Sequence, residues 1–176
     1  NVKDTEDGKV YLNGDTNIIT ASQTGAAVGI ASVGKYSDTK LSGNVSIKVV
    51  GNEDSLALDA QDGGLIDITG ENKTVQIDGD IKSTDATINI NLTGENSYIN
   101  GTIFQESAST VATLDETNGT PVPNGINIIL KDGATWNNKG NSSLGSLTME
   151  NGIINNTVDG SISIDSFSGS GGTINA

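Results

Sequence analysis

The sequence predicts an all-β chain built as a stack of short coils, and three observations predict it. The first is composition: 20 Ile, 11 Val and 19 Thr stand among 23 Gly and 20 Asn in 176 residues. β-Branched residues suit the pleated, half-buried surface of a strand, and Gly and Asn suit tight corners. The second is periodicity. Val45-Ser46-Ile47-Lys48-Val49 and Ser161-Ile162-Ser163-Ile164-Asp165 alternate with period two, and no sustained apolar stripe has a helical period. The third is an internal repeat. Ile66-Asp67-Ile68-Thr69-Gly70-Glu71-Asn72 followed by Val75-Gln76-Ile77-Asp78-Gly79 is restated as Ile90-Asn91-Leu92-Thr93-Gly94-Glu95-Asn96 followed by Tyr98-Ile99-Asn100-Gly101. The Thr-Gly-Glu-Asn words start 24 residues apart. A repeat of that length marks a solenoid, in which each unit buries its apolar face only against its neighbours.

Taken in order, residues 1–50 read as the first coils. Val10-Tyr11-Leu12 leads to an Asn13-Gly14-Asp15 corner, and Ile18-Ile19 opens the next side. The small-residue run Gly25–Ala31 predicts close backbone approach inside a coil; its rival, an amphipathic helix, is weakened by two glycines in seven residues. Lys35–Lys40 reads as a polar loop. Between 51 and 103 the predicted inward set is Leu56, Leu58, Ile66, Ile68, Val75, Ile77, Ile81, Ile88, Ile90, Leu92, Ile99 and Ile103. Stacked coils pair their backbones in parallel, so open edges are expected only at the first and last coils.

Gln105–Asn124 breaks the pattern. It holds both prolines, Pro121 and Pro123, and a Pro cannot donate to a central ladder, so the segment is expected to project as an inserted loop. Two readings stand for it: a corner insertion without structure, or a recognition loop, since insertions in repeat proteins collect on a binding face. Glu106, Asp115, Glu116 and Asn118 are the candidate recognition residues. The pattern resumes over 126–176 with Ile126–Leu130, Trp136, Ser143–Met149, Ile153-Ile154 and Phe167–Ile174. The length suits one domain, 1–176, of about seven coils and about 30–35 Å.

What is missing narrows the chemistry. There is no Cys, hence no disulfide framework and no thiolate metal site, and no His, the usual general base and zinc ligand. All nine basic residues are Lys, so bidentate Arg recognition of carboxylate or phosphate is absent. A formal net charge of −13 argues against nucleic acid and anionic membrane surfaces as partners. No apolar run reaches the roughly 20 residues of a membrane span, so direct membrane insertion is not expected. The chain starts and stops in mid-pattern, as a piece of a longer protein would.

The words Leu130-Lys131-Asp132-Gly133-Ala134-Thr135-Trp136, Ser143-Leu144-Gly145-Ser146-Leu147-Thr148-Met149-Glu150-Asn151-Gly152 and Phe167-Ser168-Gly169-Ser170-Gly171-Gly172-Thr173 resemble the C-terminal coils of bacterial autotransporter passenger domains. These are pertactin-like right-handed parallel β-helices, and the Gly-rich early coils are similar to them more loosely. The resemblance implies that fold, export through the Sec route and a C-terminal outer-membrane β-barrel in the same precursor. It also implies a place on the bacterial cell surface or outside the cell. Such passengers include adhesins, self-associating proteins, proteases and toxins. This chain has neither an Arg-Gly-Asp tripeptide nor a Gly-Asp-Ser-Gly-like protease motif, so neither activity carries over.

The reading favoured is therefore a non-catalytic stalk and adhesin without cofactor. Its partners would be host-cell or matrix surface molecules, glycans or neighbouring cells. The alternative is a polysaccharide-active β-helix enzyme that uses acidic residues alone. Pectin lyases of this architecture rely on an Arg base, and polygalacturonases carry Asp-Asp, His-Gly and Arg-Xaa-Lys words; none occurs here. Asp78 and Asp80 share a strand face and could form a carboxylate pair, but they flank Gly79 at a corner, where Asx residues serve turn geometry. Calcium at the acidic corners (Asp15, Asp62, Asp78, Asp80, Asp132 and Asp159) lacks a nonapeptide or EF-loop match. Trp136 reads as a core anchor beside a corner in preference to a sugar-stacking platform. Outward Thr ladders of the ice-binding kind lack their Thr-Xaa-Thr repeat.

Overall fold

Leu12, Leu41, Ile68, Ile90, Ile128, Leu147 and Phe167 lie one above another in register, one from each turn of the chain. The computed structural model describes residues 8–106, 113–115, 120–122 and 125–176, and they wind as a parallel β-helix. The first coil is β1 (Lys9–Leu12), β2 (Thr16–Ala21) and β3 (Val28–Val33). The second is β4 (Asp38–Leu41), β5 (Val45–Val50) and β6 (Leu56–Gln61). The third is β7 (Leu65–Ile68), β8 (Val75–Asp78) and β9 (Asp80–Thr84), and the fourth β10 (Thr87–Thr93), β11 (Tyr98–Asn100) and β12 (Ile103–Glu106). A two-stranded antiparallel ribbon, β13 (Thr113–Asp115) and β14 (Thr120–Val122), interrupts the winding. The upper coils follow with β15 (Gly125–Lys131), β16 (Thr135–Asn137), β17 (Ser142–Glu150), β18 (Gly152–Asn155), β19 (Ile162–Gly169) and β20 (Gly172–Asn175).

Strands from successive coils align as two seven-stranded parallel sheets, β1-β4-β7-β10-β15-β17-β19 and β2-β5-β8-β11-β16-β18-β20, and a third of four strands, β12-β9-β6-β3. The second sheet carries its own core row, Ile18, Ile47, Ile77, Ile99, Trp136, Ile154 and Ile174. The third carries Ile30, Leu58, Ile81 and Ile103. These rows merge into one core from Ile30 to Ile154, and each fully buried aliphatic contributes roughly 1.5–3 kcal/mol. Of the twelve residues predicted inward, eleven are buried. Leu56 is the exception, half-buried because the β6–β9 pairing slips between Leu56 and Leu58 and turns Ala57 inward instead.

The small-residue run behaves as its composition requires: a Cβ on Gly29 would lie 2.6 Å from the Ala57 carbonyl and 2.9 Å from Ile47 Cγ2. Two other expectations need correction, and the repeat has a register of its own. Asp38-Thr39-Lys40 are not loop but part of β4, with Thr39 buried between Val10 and Ile66; a polar sequence hid a strand whose inward row is mixed. The repeated Thr-Gly-Glu-Asn words do not stack on each other. Ile68 pairs with Ile90 and Ile77 with Ile99, a 22-residue coil, because β10 runs longer than β7 and delays its corner. The Gly94–Ser97 corner stacks instead below 131–134, with Gly94 donating to the Lys131 carbonyl at 3.0 Å. Finally, Gln105 and Glu106 belong to β12, so the interruption starts after them.

That interruption gives the third sheet an edge at β12 in mid-solenoid, which corrects the expectation of open edges only at the first and last coils. Side chains close it. Ile103 N–H donates to Ser142 Oγ at 2.9 Å and Gln105 N–H to Ser143 Oγ at 3.1 Å, while Ser143 Oγ donates back to the Gln105 carbonyl. Gln105 Oε1 accepts the Ile126 N–H at 2.8 Å, where the chain re-enters the first sheet. Buried backbone groups need partners, and hydroxyls and an amide supply them where no strand does.

Candidate recognition face

At the corners the same device recurs between coils. Asn44 N–H donates to Asp15 Oδ1 at 3.0 Å, Thr74 N–H to Asn44 Oδ1 at 2.9 Å, and Thr102 N–H to Asp80 Oδ1 at 2.7 Å. Each carboxylate or amide oxygen accepts a corner N–H from the adjacent coil. The two Asn44 donors, backbone first and side chain second, hold the Asp15 carboxyl below its ordinary value.

The outer face of the second sheet carries a longer chain of such bonds. Asn100 Nδ2 donates to Asp78 Oδ1 at 2.7 Å, Asn137 to Asn100 Oδ1 at 2.5 Å, Asn155 to Asn137 and Asn175 to Asn155 at 2.7 Å each. The partners are 22, 37, 18 and 20 residues apart in sequence, yet each step is one coil. Tyr98 adds its phenol to Asp78 Oδ2 at 3.2 Å. Burial first, then the Asp78 charge and this bond, raise the Tyr98 phenol above its ordinary value.

Asp78 and Asp80 therefore stand on different sheets with different tasks, one ending the amide ladder and the other capping a corner. Trp136 is fully enclosed between Ile99 and Ile154, with its indole N–H donated to the Gly101 carbonyl at 3.1 Å, so no ligand reaches its ring. Asp62 and Asp132 hold left-handed corner positions, φ 53° each. Among the described residues no three His, Cys, Asp or Glu side chains converge as metal ligands.

Of the predicted recognition residues, Glu106 ends β12 and pairs with Lys82 Nζ at 3.5 Å; it also accepts from Thr84 Oγ1 at 3.4 Å. Asp115 lies in the ribbon, its backbone opposite Thr120. Glu116 and Asn118 fall outside the described residues. Pro121 sits opposite Leu114 in a ribbon of two edge strands, where a missing N–H is tolerated, and Pro123 is outside the described residues.

Sequence reasoning missed the surface that leads to this ribbon. On the outside of the third sheet, Ala31, Asp59, Lys82 and Phe104 form one row across four coils. Phe104 is 43% exposed, and Lys82 Nζ lies 5.9 Å from the centre of its ring. Beside them a groove of about 430 Å³ is lined by Glu53, Asp54, Leu56, Asp80, Ile81, Lys82, Thr102 and Phe104. The signal was available: Phe104 follows the core residue Ile103 directly, so strand alternation alone turns it outward. No family model, curated protein or solved structure matches the chain.

Proposed function

We propose that the chain is a non-catalytic scaffold segment of a bacterial surface protein. It acts as a stalk and as an adhesive element toward host cells, matrix molecules, glycans or neighbouring cells. The observation that carries this reading is the position of the interruption. The chain leaves the winding after Glu106 and returns at Gly125, while the core rows and the amide ladder pass that level in register. A stacked solenoid interrupted by an inserted ribbon at one level suits presentation, and inter-coil bonds occupy Asp78 and Asp80, the carboxylate pair considered for an acid-only enzyme. The resemblance of residues 126–176 to autotransporter passengers supplies the setting, a secreted or surface-held precursor with its own outer-membrane barrel.

Binding of the purified chain to cultured cells, immobilised matrix proteins and a glycan array tests the adhesive part. A variant with 107–124 replaced by a short Gly-Ser linker separates the ribbon from the rod. The expected result is binding by the parent and loss in the variant, with the thermal unfolding midpoint preserved. Absence of binding and of cell aggregation by the parent would reduce the role to that of a stalk.

A further inference from the structure

We propose that the outer face of the third sheet around Phe104 is a binding site for a cationic amine, a primary ammonium or guanidinium group. This goes beyond the scaffold role and does not rest on the inserted segment. Phe104 is exposed on a strand face, and an aromatic ring attracts a cation to its π-face. The chain's own Lys82 ammonium already sits over that ring at 5.9 Å, which marks the face as one a cation occupies. Among the described residues Lys82 is held there by a partly exposed pair with Glu106, and exposed ion pairs are worth little, so it can be displaced.

The groove in front of the ring carries complementary charge. Glu53, Asp54 and Asp80 line it against the single ammonium of Lys82, so an incoming cation meets an acidic wall as well as the ring. A second, independent observation lies on the next coil down. Asp59, in register beside Lys82, is 8% exposed, and its Oδ1 has no hydrogen-bond partner, while its Oδ2 accepts from Gln61 at 2.7 Å. A buried carboxylate oxygen left unpaired is costly. Lys82, displaced from the ring, has this oxygen in the adjoining position of its own row. The cation itself can come from a free polyamine or from a lysine or arginine side chain of a partner protein.

NMR titration of the ¹⁵N-labelled chain at low ionic strength tests the site, with three probes. N-acetyl-lysine methylamide stands for a protein side chain, spermidine for a free polyamine, and N-acetyl-norleucine methylamide is the uncharged control. Saturable shifts confined to residues 53–54, 80–82 and 102–106, given by a charged probe and not by the control, are expected. Phe104→Ala should weaken binding about two- to fivefold, and Lys82→Met should strengthen it by a similar factor because the ring loses its resident cation. A purely packing role for Phe104 would not produce the second effect. Preference between the two charged probes identifies the source. No binding, shifts spread over the whole acidic surface, or binding unchanged in Phe104→Ala or not strengthened in Lys82→Met would overturn the proposal. The unfolding midpoint of each variant confirms that the fold is retained.

Discussion

Asn100 donates its side-chain N–H to the Asp78 carboxylate at 2.7 Å and so gives a run of four amides a charged end. Every amide in the run points its donor toward the earlier coil, which aligns the amide dipoles along the rod. Such chains polarise one another, and the terminal bond to a carboxylate is stronger than a neutral one.

Removing a middle rung should therefore cost more than removing an end. Asn137→Ala strips an acceptor from Asn155 and a donor from Asn100, in a half-buried position. A loss of about 1–2 kcal/mol is expected from urea unfolding. Asn175→Ala, at the exposed last rung, should lose less than about 0.5 kcal/mol. Equal losses at the two positions would mean that the ladder adds nothing to stability.

The enclosed tryptophan gives a spectroscopic prediction. Trp136 replaces Ile in a row of isoleucines and places its N–H on the Gly101 carbonyl. Its fluorescence should be blue-shifted and resistant to quenching by iodide. Trp136→Phe keeps an aromatic ring, though a smaller one, and leaves that buried carbonyl unpaired, a cost of at least about 1–3 kcal/mol. Trp136→Ala adds a cavity and should cost about 3–5 kcal/mol.

Two glycines in identical Asn-Gly words separate corner from contact. Gly14 has open space where a Cβ would point, whereas a Cβ on Gly101 would collide with the Gly79 backbone of the coil below. Gly14→Ala should leave the unfolding midpoint unchanged or raise it slightly, through loss of unfolded-state freedom. Gly101→Ala forces two coils apart and should cost on the order of 3 kcal/mol. Similar midpoints for the two variants would show that the close approach at Gly101 is relieved without cost.

These contrasts also mark what was legible in the chain. The aliphatic rows were, because a buried Ile in each coil leaves a period-two trace that composition cannot blur: Ile66, Ile68, Ile88 and Ile90 all fell inward as predicted. Register was not legible. The eye aligns the Thr-Gly-Glu-Asn words, but packing aligns Ile68 with Ile90, since a core row costs far more to misplace than a solvated corner. The amide ladder was hidden because its steps vary from 18 to 37 residues, which no fixed period finds. It did leave a trace in the pairs Ile77-Asp78, Ile99-Asn100, Trp136-Asn137, Ile154-Asn155 and Ile174-Asn175, each a core residue followed by an Asx. The Lys82–Phe104 contact joins residues with no local relation, and only the stacking of β9 and β12 brings them together.

The Tyr98 phenol, finally, ties stability to alkaline pH. Its pKa in the folded chain is raised by burial and by Asp78, so between the unfolded value of about 10 and the folded value the native state holds a proton that the unfolded chain has lost. The unfolding free energy then falls as pH rises through that window, and the contribution is fully present below it. Tyr98→Phe should flatten this alkaline limb, since it keeps the ring and removes the titrating group. Asp78→Asn should narrow the window, because it removes the charge that opposes ionisation while burial remains. Chemical unfolding at a series of pH values from 8 to 11, paired with tyrosinate absorbance near 295 nm, measures both sides of the linkage. An alkaline limb of unchanged slope in Tyr98→Phe would assign it to other groups.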